Sequence, residues 1–448
     1  MKKLVCLLMT IIFVFVFSAC NNDVLEDGLT SNNSLSINEN NSPSNTQTPS
    51  NTQTSSNTQT PESTPSNSPD VLGKVSVWNG SSAASWSSGT GTAGDPYVIE
   101  SAANLAYLAQ KTKSGHTYND EYFILATNID LNNNDWMPIG TKTYPFCGNF
   151  DGDGYQISNV NLSKCHTNVS NGAEFERRGL FGHTLNSTIS NLYVSGVRAS
   201  ISPTATDSDV YYVGALVGYA EADYRSVIEN CYVQNVSIQL NTSSYHEIYM
   251  GGIVGFANPA QNANMNFFHV SADVKMKVIS SGDNRIGGIV GHINLKGIAD
   301  FSDVCSYLQI SQSTTKGEYN VSPLIGSINT EKGSLNLSSC YLSLQTNAHN
   351  FNLTSSSGYV NKTNGCLGQA FGQFKGKSKF TNVFATVRVL NVDYSSQLTL
   401  YPASLEYHDA LTVNNCRVVS VLPNTCGFKK SAWDLSDMSH PKLKDISR

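Results

Sequence analysis

Short apolar runs closed by a glycine recur along the chain. They are Gly179-Leu180-Phe181-Gly182, Gly214-Ala215-Leu216-Val217-Gly218, Gly251-Gly252-Ile253-Val254-Gly255, Gly287-Gly288-Ile289-Val290-Gly291, Ser322-Pro323-Leu324-Ile325-Gly326 and Gly368-Gln369-Ala370-Phe371-Gly372. The closing glycines stand 36, 37, 36, 35 and 46 residues apart. A second apolar run follows each, as in Ile189–Val194, Ile228–Val233, Phe267–Val270, Val304–Leu308, Leu337–Leu342 and Val383–Val387. Both runs are rich in β-branched and aromatic residues and bounded by turn residues, which predicts strands rather than helices. A unit with two or three strands and no helix cannot enclose a core alone, but stacked coils pair each strand with its equivalent in the next. The expected fold class is all-β: a single-stranded parallel β-helix, or solenoid, of about seven or eight coils. A β-propeller has a similar period of ~40–45 residues, but a blade needs four antiparallel strands. Each repeat here shows two clear strands and a weak third, which favours the β-helix.

Ser101, ahead of Leu105 and Leu108, predicts a short N-capped helix over the open end of the first coil. Two apolar ladders run through the repeats. Phe181, Val217, Val254, Val290, Ile325 and Phe371 immediately precede the closing glycines, and Leu180, Leu216, Ile253, Ile289, Leu324 and Ala370 stand one residue earlier. Neighbours in a strand point to opposite faces, so one ladder is expected inside and one outside. The more aliphatic Leu180 ladder is assigned inward. The outer stripe would continue through His183, Tyr219, Phe256 and His292, either covered by loops or open as a docking strip. On this reading Val254→Asp is tolerated and Ile253→Asp unfolds the domain.

The N-terminal pattern differs. Residues 1–19 read as a lipoprotein signal peptide, with Lys2 and Lys3 before an apolar stretch from Leu4 to Phe17. Ser18-Ala19-Cys20 resembles the lipobox of bacterial lipoproteins, with Phe17 where Leu is usual, and marks Cys20 as the lipid attachment site. A plain signal peptide cleaved elsewhere, or an uncleaved anchor, is the alternative. Residues 20–75 form an Asn/Ser/Thr/Pro-rich stretch in which Asn-Thr-Gln-Thr recurs at 45–48, 51–54 and 57–60. Its composition predicts a disordered tether, with an average reach of roughly 40 Å. The folded domain is assigned to 76–448.

The 448 residues carry a net charge of −6 and only 14% charged residues. Setting aside the six acids of the tether and the two lysines of the signal brings the folded part near −2. Such a balance argues against a nucleic-acid partner. No apolar run reaches the ~20 residues of a membrane-spanning helix.

Glycine-closed runs such as Gly-Gly-Ile-Val-Gly, and the Asn230-Cys231-Tyr232 that follows the run ending at Gly218, resemble the GLUG motif of bacterial surface proteins. The opening series also fits. It comprises Trp86 to Ile99, Ser101 to Leu108, Asn128-Ile129-Asp130-Leu131, Trp136 to Gly140 and Phe150 to Tyr155, and the chain closes with Trp433 and Pro441-Lys442-Leu443. The resemblance covers roughly 76–448. It implies a right-handed parallel β-helix of the kind found in surface lipoproteins, adhesin-like proteins and accessory regions of immunoglobulin A peptidases. The motif is structural and implies no catalytic residue.

Ten cysteines occur. Cys231, Cys305 and Cys340 are assigned one inward slot in different coils, as free thiols. Cys147–Cys165 and Cys416–Cys426 are the pairs that could bridge. Asn149, Asp151 and Asp153 begin like a calcium loop, but Val160 stands where Glu is required and a strand follows, so a turn is the better account. No His-Glu-x-x-His, nucleophile elbow or phosphate loop occurs, and Asp300, Asp303 and Asp393 do not recur at coil spacing. No catalytic, cofactor or metal residue is assigned. The expected function is an envelope-anchored, outward-facing, monomeric surface lipoprotein. Its rigid β-helix would bind a glycan or protein ligand without catalysis, its membrane contact would be the N-terminal lipid, and it would have no nucleic-acid partner. The alternative is a β-helical polysaccharide lyase or glycoside hydrolase, recognisable by acids from adjacent coils meeting in one groove.

Overall fold

Each central repeat folds as three strands. In the second of them, Val210–Gly214 runs to a bend at Ala215-Leu216, Val217–Ala222 runs back out, and Arg225–Asn241 crosses the far wall. Every strand pairs in parallel with its equivalent in the next coil, as in Val213↔Met250, Val217↔Val254 and Ile228↔Phe267. The computed structural model describes residues 74–164, 176–203, 210–314, 319–330, 333–346, 361–363, 367–372, 378–389, 411–419 and 421–445. Cys20, the tether up to residue 73, Cys165, Asp393 and residues 401–405 lie outside them.

Three parallel sheets result: an inbound and an outbound sheet of six strands each, and a wide sheet of fifteen. Among the described residues, six strands per smaller sheet make about five turns, fewer than the seven or eight expected. Before Glu176 the glycine run shortens to Pro138-Ile139-Gly140, whose Ile139 bridges Phe181. The earlier repeats also contribute short strands to the wide sheet, such as Tyr122–Leu125 with Asn128–Asp130, and Asn149–Asp151 with Gln156–Ser158. The helix Ala102–Lys113 is capped by Ser101, whose hydroxyl accepts from Asn104 N at 3.2 Å, and it buries Leu105, Leu108 and Ala109 in the first coil's core.

The wide sheet turns a corner at one residue per coil. Asn191, Asn230, His269, Asp303, Ser339, Asn382 and Asn415 hold φ between 50° and 54°, a left-handed conformation that Asn and Asp tolerate best. Their side chains form a chain where amides allow it. Asn191 donates to Asp151 at 2.9 Å, Asn230 to Asn191 at 3.0 Å, and Asn415 to Asn382 at 2.8 Å. The turn expected at Asp151 is present: its carboxylate also accepts Asp153 N at 2.8 Å.

Both apolar ladders are buried, which corrects the alternating assignment. Leu180, Leu216, Ile253, Ile289 and Leu324 lie in the main core as expected, and so do Phe181, Val217, Val254, Val290 and Ile325. The alternation rule holds only within one strand. Here the inbound strand ends at Gly251, Gly252-Ile253 form a bend, and Val254 begins the outbound strand. The bend turns consecutive side chains into the same core. The last repeat is also out of register with the expected alignment: Ile325 pairs with Leu367, so the equivalent of Gly326 is Gly368 rather than Gly372.

The closing glycines have a steric role. A Cβ on Gly218, Gly255, Gly291 or Gly326 would sit 2.4–2.8 Å from a backbone nitrogen of an inbound strand. Inbound and outbound backbones converge there too closely for any side chain.

Candidate functional site

The inbound and outbound sheets each have a second face, and these faces meet in a cleft. From the inbound strands come Arg177, Tyr212, Tyr249 and Arg285, in register. From the outbound strands come His183, Tyr219, Phe256 and His292, also in register. Tyr219 stacks on Phe256 at 4.9 Å with an interplanar angle of 4°, close to the spacing of paired strands. Tyr212 meets Tyr219 edge-on at 4.9 Å, Tyr249 meets Phe256 at 5.2 Å, and the Arg177 guanidinium lies 4.9 Å from the Tyr219 ring. The expected outer strip therefore exists as a ladder. Among the described residues it packs against the neighbouring sheet, with His183 and His292 buried and Tyr219 and Phe256 half-buried, so it is not a fully open docking strip.

Burial sets the protonation of this cleft. Desolvation holds His292 down to about 3, with Arg285 adding to the effect, and its Nδ1 lies 2.6 Å from Ser327 Oγ. Desolvation also lowers His183, against the opposing pull of Glu221. His183 Nε2 donates to Glu221 Oε2 at 2.9 Å, so a neutral imidazole bonds an anion. For Glu221 burial alone would raise the pKa, but its bonds from His183 and Asn258 outweigh it and the carboxyl is lowered. Tyr212 is pushed up to about 12 by burial. All of this is the chemistry of a packed interior.

A second covered face lies outside the wide sheet. Tyr232, Cys305, Tyr341 and Phe384 point outward and pack beneath Leu422, Phe428, Trp433 and Leu443 of the C-terminal segment. That segment is a strap, closed by pairing of Trp433–Asp434 with Lys442–Leu443. Trp433 Nε1 donates to Asp303 at 2.9 Å, His269 Nε2 to Lys444 O at 3.0 Å, and Tyr307 Oη to Pro441 O at 2.7 Å. The strap thus bonds the corner ladder where His269 and Asp303 replace asparagine.

Cys305 belongs to this outer row. It pairs with Ser271 and Tyr341, whereas Cys340 pairs with Val304 inside. The three-cysteine slot is corrected accordingly: Cys231 and Cys340 face the core, and Cys305 faces the strap. All three are free thiols, and burial pushes Cys231 and Cys305 up to about 12. Cys147 is also free, and no disulfide joins Cys416 to Cys426.

One groove that remains open is polar. It encloses about 550 Å³ and is lined by Asn133, Asn161, Ser163, Arg198, Ala199, Ser200, Ser237 and Gln239. The extended strand Arg198–Ile201 alternates exposed and buried residues, which fixes Arg198 and Ser200 outward over Ala199 and Ile201. Asn161 donates to Asn133 O at 3.1 Å and to Asp135 at 3.0 Å, and Ser163 Oγ accepts Ser200 N at 2.9 Å. The sequence reading missed this groove. Its only signal was the polar half of a strand pattern, which looks like any solvated face.

A profile described as the GLUG motif matches residues 209–239, most of one three-strand coil. The chain thus carries a GLUG motif within a parallel β-solenoid. The chain is 29% identical over 173 residues to a protein named halomucin from Haloquadratum walsbyi, matching 35% of this chain and 2% of that protein. It is 28% identical over 209 residues to a protein of Evansella cellulosilytica named as a Gly-rich membrane protein, matching 45% of this chain and 20% of that protein. The chain therefore spans only a small part of these relatives' length. Among solved structures, a Bacteroides ovatus protein named as an immunoglobulin A1 protease aligns over 80% of this chain and 95% of its own, at 17% identity and a TM-score of 0.49.

Proposed function

We propose that this protein is an envelope-anchored surface rod that binds a glycan at the polar groove without cleaving it. The groove lining carries the reading: amides, hydroxyls and one guanidinium, with no carboxylate among the lining residues. Sugar hydroxyls are recognised by such donors and acceptors, whereas most glycoside hydrolysis uses a pair of carboxyl groups across the scissile bond. The neighbouring acid, Asp135, is bonded to Asn161 and lies 3.3 Å from Lys164. In this proposal Cys20 carries the acyl chains and the tether holds the solenoid off the membrane. The names of the halomucin and Gly-rich membrane relatives support an envelope location.

Two experiments test the reading. The full chain should bind a subset of an immobilised glycan array, and Ser200→Ala/Gln239→Ala should weaken that binding without changing the thermal melt. Binding that is unaffected by the double variant would refute the groove. Cys20→Ala should move the protein from the detergent phase to the aqueous phase and abolish acyl labelling; retention of both would refute the anchor.

A further inference from the structure

The groove opens onto an exposed face of the wide sheet, and this face carries cations. Arg198 is in register with Ser237, Ser237 with Lys275 and Lys275 with Gln309. The next row is Ser200, Gln239, Lys277 and Ser311. Arg198, Ser200, Gln239, Lys275 and Lys277 are exposed, while Ala199, Ile238, Leu240, Met276 and Val278 between them are in the core. The side-chain directions are therefore set by the sheet. Arg198 and Lys275 stand two strands apart, about 10 Å, and Lys275 and Lys277 about 7 Å apart along one strand.

Among the described residues, no carboxylate lies within ion-pair distance of Arg198, Lys275 or Lys277. Asp273 is the acid nearest in sequence on this face; it sits two residues before Lys275 and also feels Lys442 of the strap. Arg198, Lys275 and Lys277 against Asp273, with Asp135 at the end of the Asn161–Arg198 row held by Lys164, leave the face positive in a chain whose net charge is −6. A positive face retained against the overall balance attracts polyanions locally. The rows between the cations are Ser and Gln, suited to hydroxyls. No aromatic platform for nucleobases lies among these two rows.

We infer that the glycan is an anionic polysaccharide, a linear carboxylated chain lying along the solenoid axis across the Arg198 and Lys275 rungs. The inference rests on the glycan reading above. Its carboxylates would meet Arg198, Lys275 and Lys277, and its hydroxyls would meet Ser200, Ser237, Gln239 and Gln309.

The test uses the full chain on immobilised polygalacturonate, neutral dextran and single-stranded DNA, with Arg198→Gln/Lys275→Gln/Lys277→Gln and the separate Ser200→Ala/Gln239→Ala variant. Exposed charge pairs contribute modestly and separated sites add, so the triple variant should bind polygalacturonate roughly tenfold more weakly. Its melt should match the wild type, and wild-type binding should weaken with added salt. Triple-variant binding equal to wild type overturns the inference. Equal wild-type binding to dextran and polygalacturonate, sensitive only to Ser200→Ala/Gln239→Ala, overturns the anionic inference and leaves the glycan reading standing. DNA bound as tightly as polygalacturonate overturns the inference in favour of general polyanion adhesion. Binding to neither glycan overturns the inference for carboxylated chains; the array then decides the broader reading.

Discussion

Gly255→Ala adds one methyl group at the point where two backbones converge. The new Cβ would lie 2.6 Å from Gly218 O, 2.6 Å from Val213 N and 3.0 Å from Tyr212 C. All three are main-chain atoms, and they belong to both the inbound and outbound strands of the preceding coil. None can swing aside as a side chain would, and shifting either strand loosens its parallel ladder. Overpacking costs about 1–3 kcal/mol where side chains can adjust, and a backbone obstruction belongs at the upper end. The lower entropy of an unfolded Ala chain offsets about 0.4–1 kcal/mol. A net loss of about 2 kcal/mol follows, or roughly 2–3 °C in melting temperature for a domain of this size. Gly94→Ala is the control, since a Cβ there meets nothing within 4 Å; it should stay within about 0.5 kcal/mol of the wild type. Thermal melts by circular dichroism give the comparison, and amide exchange at Val213 and Val254 localises the damage. Gly255→Ala and Gly94→Ala melting together would refute the close-approach account of the closing glycines.

Three further outcomes are expected. Val254→Asp and Ile253→Asp should both collapse the fold, because both side chains lie in the core and each would bury an unpaired charge at a cost above about 4 kcal/mol; a soluble, cooperatively melting Val254→Asp would contradict this facing. His292 is held down to about 3 when folded, so its contribution is complete above the unfolded value near 6.5 and is lost as pH falls toward 3; urea midpoints should show about 2 kcal/mol less stability at pH 5 than at pH 7 from this group, and His292→Gln should remove that increment. Trp433→Ala removes a buried ring and leaves Asp303 without the indole donor, at about 3–5 kcal/mol; limited proteolysis should then cut first within 421–445, and an uncut strap would argue that Trp433 is not its anchor.

The hydrophobic pattern determined the class of fold, the strand assignments and the capping helix. These depend on local period and on a repeat that only stacking can satisfy. Facing was decided by tertiary structure. Gly252-Ile253 bend the chain between two strands, so the period-two rule fails across Ile253 and Val254, and no composition signal marks that bend apart from an extended run. Cys305 shows the same limit: a one-residue slip in aligning its coil moves the side chain from core to outer face. The strap was less legible still, because Trp433 reaches Asp303 across 130 residues and nothing in either local sequence encodes the meeting. The candidate groove depends on which polar strand faces stay uncovered once the cleft has closed and the strap has docked. Local sequence set which residues could sit on a surface, but only the packing of distant segments decided which surface stayed exposed to solvent.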